Sequence, residues 1–132
     1  RERRLQQRMR PSERFGSDDT VSVEDYRGKV TIVNFWYIYC SSCVKELQTE
    51  FPLIKEEYGD QVEILAVHSY QEYNSDIPAF IENSFPGADF TFCRDAEGEE
   101  YFHMLGGTQS WPVTLVLDED GIIVSYINGG TT

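Results

Sequence analysis

Two cysteines, Cys40 and Cys43, limit the possible folds of this chain more than any other feature, because of what stands on either side of them. Val30–Trp36 lies shortly before them and is rich in β-branched and aromatic residues, which is typical of a strand buried on both faces. A helical pattern follows. The pair is therefore predicted to lie at a strand-to-helix junction.

This position gives the two thiols a specific chemistry. The first turn of a helix has backbone N–H groups without intrahelical partners and the positive end of the helix dipole, and both stabilise a thiolate on Cys40. A thiolate attacks disulfides, and Cys43 is close enough to resolve the mixed disulfide that forms. Zinc sites use the same spacing, but strand, aromatic residues and helix in this order favour a redox-active dithiol.

The remaining cysteine and histidines do not complete a metal site in the sequence. A structural zinc needs four ligands, and only Cys93, His68 and His103 remain, each isolated. We therefore expect no metal. Cys93 closes a predicted buried strand and is interpreted as a small hydrophobic residue, and the histidines as hydrogen-bonded structural residues. A binding module with an idle or metal-holding dithiol is kept as an alternative.

Length and charge limit the number of domains and the partners of the chain. With 132 residues the chain forms one domain, and no apolar stretch is long enough to span a membrane. Six of the eleven basic residues stand in positions 1–14, so the remainder has five basic and 21 acidic residues, a net charge of −16. Such a surface repels nucleic acid. We expect a polar, Arg-rich linker or arm over residues 1–19 and a folded domain over residues 20–132.

The helix after the cysteines has one apolar and one polar face. Its apolar positions recur every three or four residues from Val44 to Tyr58, with Pro52 inside and Gly59 as the end signal. We expect the polar face to include Lys45, Glu46, Glu50, Lys55 and Glu56.

Strands and helices alternate along the rest of the chain. This order predicts an α/β domain with a central mixed sheet flanked by helices. A second helix, capped by Asn74, Ser75 or Asp76, is predicted to run to about Phe85, and a third is predicted over Glu97–Leu105. Further strands are predicted at Val62–His68, Phe90–Cys93, Val113–Leu117 and Ile122–Ile127.

The motifs in this order resemble thioredoxin-like proteins, and among them the extracytoplasmic TlpA/ResA-like thiol–disulfide oxidoreductases. The motifs are Val-Asn-Phe-Trp before the cysteines, Ile-Leu-Ala-Val-His, Phe-Thr-Phe-Cys-Arg-Asp, Trp-Pro-Val-Thr and Leu-Asp-Glu-Asp-Gly. The resemblance implies a thioredoxin-like fold and dithiol exchange without a cofactor. It also implies an anchored or secreted location facing outside the cytoplasm. We expect membrane contact only if the full protein has an N-terminal anchor.

The resemblance also assigns roles to single residues. Cys40 matches the attacking cysteine, Cys43 the resolving one, and Pro112 the proline that is cis in this fold. Trp36, Tyr39 and Trp111 are expected to line the substrate groove. Glu72 is the nearest match to the carboxylate that accepts a proton in this branch.

The chain departs from the family pattern in three places. Asn34 occupies the position where thioredoxin itself carries a buried Asp, and an amide cannot transfer the proton. Trp111 is bulkier than the residue that usually precedes the cis proline. The family normally adds a helix after the last strand, and we expect no counterpart of it within residues 1–132.

We therefore expect an enzyme that reduces or isomerises disulfides in exported proteins. Its partners would be protein thiols and disulfides as substrates and an upstream dithiol as electron donor. A peroxide-reducing enzyme of the same fold is the other alternative, although it would use a supporting Arg, and residues 28–93 contain none.

Overall fold

One mixed β-sheet organises the computed structural model, which describes residues 3–4, 12–14, 20–21, 23–69, 76–95, 102–103 and 111–129. Within these residues the sheet is accompanied by two α-helices with described ends, by the helical residues Phe102 and His103, and by two short 3₁₀ helices, Val23–Tyr26 and Gly59–Gln61. The elements in chain order are β1 (Arg3–Arg4), β2 (Ser12–Arg14), β3 (Thr20–Val21), β4 (Val30–Trp36), α1 (Ser41–Tyr58), β5 (Val62–His68), α2 (Ile77–Ser84), β6 (Thr91–Arg94), β7 (Val113–Leu117) and β8 (Ile122–Asn128).

The strand order is β1-β8-β7-β4-β5-β6-β2-β3. The β4–β5 and β5–β6 pairs are parallel, whereas β7 is antiparallel to both β4 and β8. The predicted mixed sheet is confirmed. Parts of the predicted N-terminal arm pair with the sheet, β1 along β8 and β2 along β6. The proposed boundary at residue 19 stays a prediction.

The sheet separates two apolar cores, because side chains alternate along each strand. One core contains Val33 and Phe35 of β4 and also Phe102. The other contains Ile32 and Trp36 and is covered by the helices. The dithiol belongs to the helix-covered side of the sheet.

Helix α1 follows the prediction at both ends. It begins directly after Cys40 and ends at Gly59, which adopts the positive φ of 54° that favours glycine. The predicted polar face is wrong at two positions, since Glu46 and Lys55 are buried. Lys55 is buried because its Nζ donates to the carbonyls of Gly59, at 3.0 Å, and Val62, at 2.7 Å, which joins the end of α1 to β5.

The later elements agree with the prediction within about one residue, the usual uncertainty of element ends. Helix α2 begins after Asp76, with Pro78 in its first turn where proline is tolerated. The third predicted helix lies mostly outside the described residues, and Phe102 and His103 are helical. The last described element is β8. Among the described residues, no helix is both long and apolar enough to cross a membrane.

Candidate active site

Cys40 and Cys43 form a disulfide at the N-terminus of α1, with their Cα atoms 5.2 Å apart. Cys40 is the N-cap residue, in extended backbone geometry with φ −96° and ψ 98°. Its Sγ accepts a hydrogen bond from the Cys43 backbone N–H at 3.2 Å. The Ser42 hydroxyl lies 3.7 Å from the same sulfur. The helix start therefore supplies one of its otherwise unpartnered N–H groups to the Cys40 sulfur.

The two cysteines differ in how far solvent reaches them. Cys40 is 8 % exposed and Cys43 is completely buried. Because an attacking sulfur must meet its substrate, this difference favours Cys40 as the nucleophile and Cys43 as the resolving residue.

Aromatic residues lie next to Cys40 in the chain and pack against the core that contains the dithiol. Tyr39, directly before Cys40, is 70 % exposed. Trp111 is half-buried, stacked on Phe102 with ring centroids 4.5 Å apart and edge-on to Tyr37 at 5.3 Å. The Trp111–Pro112 peptide bond is cis, as predicted. Tyr39 and Trp111 thus leave aromatic surface accessible to a substrate.

Trp36 does not contribute to such a surface, and its predicted place in a substrate groove is wrong. It is fully buried at the end of β4, where its ring packs against those of His68, Phe85 and Phe92. Alternation along the strand places Trp36 on the same face as Ile32, beneath the helices.

Proton transfer at the dithiol would need an acceptor, and two carboxylates are candidates. The predicted one, Glu72, lies outside the described residues. Glu46 is only 1 % exposed and stands three positions after Cys43, a spacing that places both on one face of α1. The sequence prediction missed Glu46, although its three-residue spacing from Cys43 was a readable signal. Asn34 is also buried, and its Nδ2 donates to Thr114 Oγ1 at 3.0 Å.

Cys93 is a free, fully buried cysteine in the core on the opposite side of the sheet from the dithiol. Burial raises the pKa of its thiol far above the ordinary value, and the nearby Asp95 carboxylate adds to the increase. The sequence interpretation of Cys93 as a small hydrophobic residue agrees with this environment. Within the described ranges, no three or more Cys, His, Asp or Glu side chains are grouped to hold a metal ion.

One large apolar groove among the described residues is remote from this chemistry. It has a volume of about 870 Å³ and is lined by the first residues of β4 and β5, Val30 and Val62, and by Ile54 and Tyr58 near the end of α1. The cysteines follow the other end of β4. The groove is therefore no part of the dithiol site.

A dithiol–disulfide pair at the start of the helix after the central strand β4, with a cis proline directly before the neighbouring antiparallel strand β7, defines a thioredoxin-like thiol–disulfide oxidoreductase domain. The redoxin family model matches residues 12–132. The chain therefore belongs to the redoxin family.

Comparison with individual proteins agrees with this assignment. The chain is 29% identical to the thioredoxin-like protein YneN of Bacillus subtilis, in a match that covers 81% of this chain and 61% of YneN. It is 28% identical to the thiol-disulfide oxidoreductase ResA of Halalkalibacterium halodurans, in a match that covers 86% of this chain and 62% of ResA. The pneumococcal exposed lipoprotein thioredoxin Etrx1 of Streptococcus pneumoniae shares the fold, with a TM-score of 0.77, 22% identity and coverage of 92% of this chain and 90% of that one.

Proposed function

We propose that the whole protein reduces or isomerises disulfides in exported proteins, outside the cytoplasm, with electrons from an upstream dithiol protein. The observation that carries the proposal is the N-cap geometry of Cys40. Cys40 is the more exposed residue of the pair, and its sulfur accepts a hydrogen bond from the Cys43 N–H. An extracytoplasmic location is supported by the resemblance and by the exposed lipoprotein among the proteins that share the fold.

The first step is attack by the Cys40 thiolate on one sulfur of the substrate disulfide. A Cys40–substrate bond forms as the substrate S–S bond breaks, and the departing substrate sulfur takes a proton from solvent. In the second step Cys43 loses its proton and attacks Cys40 Sγ, which releases the other substrate sulfur. Two electrons pass to the substrate, and the upstream dithiol restores the reduced pair.

The proton of Cys43 needs an acceptor, because a thiol near its unperturbed pKa is mostly protonated at neutral pH. We propose Glu46 for this role, on the basis of its burial and its place one helical turn from Cys43. Glu72, the carboxylate predicted from the sequence, stays a second candidate.

Substrate contact is proposed for Tyr39 and Trp111. The exposed ring of Tyr39 offers apolar area directly beside Cys40. The backbone of Trp111, before the cis proline, is proposed to pair with an extended substrate segment in the manner of an added strand.

An insulin-reduction assay with dithiothreitol tests the proposal. We expect the wild-type protein to accelerate precipitation of the insulin B chain, and Cys40→Ser and Cys43→Ser variants to lose that activity. Cys93→Ser is the matched control and should retain it. A wild-type protein that is inactive, or that copurifies with one zinc per chain, would reject thiol–disulfide exchange in favour of a binding module.

A further inference from the structure

His68 connects the end of β5 to the segment that carries Cys40. It is fully buried, and its ring packs edge-on against Trp36 with centroids 4.8 Å apart. Its Nε2 accepts a hydrogen bond from the Ile38 backbone N–H at 3.0 Å. Its Nδ1 lies 2.8 Å from the carbonyl oxygen of Ser69. The ring therefore bridges two loops at the same edge of the sheet.

These partners determine the protonation state of the ring. An N–H group faces Nε2, so this nitrogen must present a lone pair, and a carbonyl faces Nδ1, so that nitrogen must carry the hydrogen. His68 is thus the neutral Nδ1–H tautomer. A proton added at Nε2 would place two N–H groups against each other and break the bond to Ile38.

The Ile38 N–H belongs to the turn that positions the dithiol. Residues 37–40 form this turn, closed by a hydrogen bond of 3.0 Å from the Cys40 N–H to the Tyr37 carbonyl. The bond that closes the turn uses the Cys40 N–H and not the Ile38 N–H, which donates to His68 instead. Cys40 then caps α1 and accepts from Cys43. Hydrogen bonds therefore run from His68 through the turn to the sulfur of Cys40.

We propose that His68 is a positioning residue for dithiol exchange, which holds the 37–40 turn, and with it the Cys40 sulfur, through the bond from Ile38 N–H to Nε2. This inference rests on the proposed function. Protonation of His68 removes the contact, so acidification slows exchange beyond the effect of thiol protonation. Three elements beside His68 carry charged residues, and on α1 only Glu46 and Lys55 are buried. The charged residues are Arg94, its register partner on β6, Lys45, Glu46, Glu50, Lys55, Glu56 and Glu57 on α1, and Glu82 on α2. Asp95, directly after β6, accepts from the Phe102 N–H.

Two substitutions distinguish the role of Nε2 from the role of Nδ1. In His68→Gln the amide oxygen reaches the position of Nε2, so the acceptor for Ile38 is retained in a side chain that does not titrate. In His68→Asn the shorter amide matches Nδ1, so the donor to Ser69 is retained and the acceptor is lost. His103→Gln, at an exposed helical residue, is the matched control for removal of a histidine.

The measurement is the rate of insulin reduction and of Cys40 alkylation in the reduced protein from about pH 5 to pH 8, a range in which histidine commonly titrates. We expect His68→Asn to be about five- to tenfold slower than wild type, the change typical of one lost hydrogen bond. His68→Gln should recover most of this rate and lose less of it on acidification than wild type or His103→Gln.

Several results would overturn the proposal. One is a folded His68→Asn variant as fast as wild type, and another is a His68→Gln variant as slow as His68→Asn. If His68→Asn does not fold, the test is the decrease in the rate of His68→Gln on acidification. A decrease identical to that of the wild type refutes the proposal. A ¹⁵N NMR spectrum that shows the ring hydrogen of His68 on Nε2 at pH 7 would also refute the proposal. An inactive wild type would instead reject the proposed function, whereas the ¹⁵N test remains valid.

Discussion

The backbone N–H of Cys43 donates to the sulfur of Cys40 at 3.2 Å, so the proposed resolving residue also stabilises the sulfur of the proposed nucleophile. In the reduced protein this N–H favours the Cys40 thiolate, whereas the Cys43 sulfur is buried. We predict that iodoacetamide labels Cys40 at least about tenfold faster than Cys43, since thiolate character and access both favour it.

A Cys43→Ala variant should accumulate mixed disulfides between Cys40 and substrate, because no second thiol resolves them. Non-reducing electrophoresis and mass spectrometry detect the adduct. A Cys40→Ala variant should accumulate far less. Faster labelling of Cys43, or adducts through Cys43, would reverse the assigned roles.

Removal of the Glu46 carboxylate should slow the resolution step. General base catalysis contributes about 10²–10⁴-fold, so we expect Glu46→Gln to slow single-turnover disulfide formation by roughly tenfold or more. Glu56→Gln, at an exposed position of the same helix, is the control. Stopped-flow tryptophan fluorescence follows the step. If Glu46→Gln folds normally and resolves as fast as the control, Glu46 is not the acceptor.

Lys55 is predicted to stabilise the fold through its two carbonyl partners, Gly59 and Val62. Lys55→Met keeps the apolar stem but leaves both carbonyls without this donor, and should lower the free energy of unfolding by about 3 kcal/mol. Asp89, 3.9 Å from Lys55 Nζ but 84 % exposed, contributes little, so Asp89→Asn should be nearly neutral. Lys45→Met is a surface control. Urea denaturation measures all three, and equal stability of the lysine variants would contradict the prediction.

Cys93 should make the stability of the oxidised protein depend on alkaline pH. Burial raises the pKa of its native thiol, whereas the thiol of the unfolded chain titrates near its usual value of about 8.5. Above that pH the native state holds a proton that the unfolded state has lost. The raised pKa of Cys93 therefore contributes fully to the free energy of unfolding below about pH 8.5. As the pH rises from there toward the native pKa, this contribution is lost, by at most about 1.4 kcal/mol per pH unit.

The Cys93→Ala variant lacks the thiol and therefore lacks this pH-dependent contribution to the free energy of unfolding. The difference in free energy of unfolding between wild type and Cys93→Ala should therefore shrink from pH 8 to about pH 10.5, as other titrating groups cancel in the comparison. Urea denaturation at several pH values measures it. Parallel pH profiles for the two proteins would show that Cys93 has no such effect.

The redox potential of the Cys40–Cys43 pair should be that of a reductant or isomerase. Strongly oxidising members of this fold stabilise the reduced thiolate far more than a helix start alone does. Here the described contacts of the Cys40 sulfur are a backbone N–H and the neutral Ser42 hydroxyl. We expect a potential of roughly −200 to −280 mV in a glutathione titration, and a value near about −120 mV would identify an oxidase instead.

The sequence predicted the features that depend on neighbouring residues. The strand Val30–Trp36, the capping position of Cys40 and the end of α1 at Gly59 follow from local periodicity and backbone preference. The mixed sheet followed from the alternation of these elements.

What the sequence did not predict depends on contacts between distant segments. Helical periodicity alone assigned Glu46 and Lys55 to the polar face, whereas the structure buries both, and the partners of Lys55 stand beyond the end of the helix. Trp36 lies close to the cysteines in the sequence but points beneath the helices, because a strand buried on both faces gives no local sign of which face meets the substrate. The bond between His68 and Ile38 joins residues thirty positions apart.

The position of Cys93 across the sheet has a consequence for oxidative maturation. Three cysteines permit three different intramolecular pairings, and two of them would join Cys93 to a sulfur on the far side of β4 and β5. Once the sheet has formed, only the Cys40–Cys43 pairing is within the reach of a disulfide. Refolding in air should therefore yield a single disulfide isomer, with no shuffling enzyme required to select it.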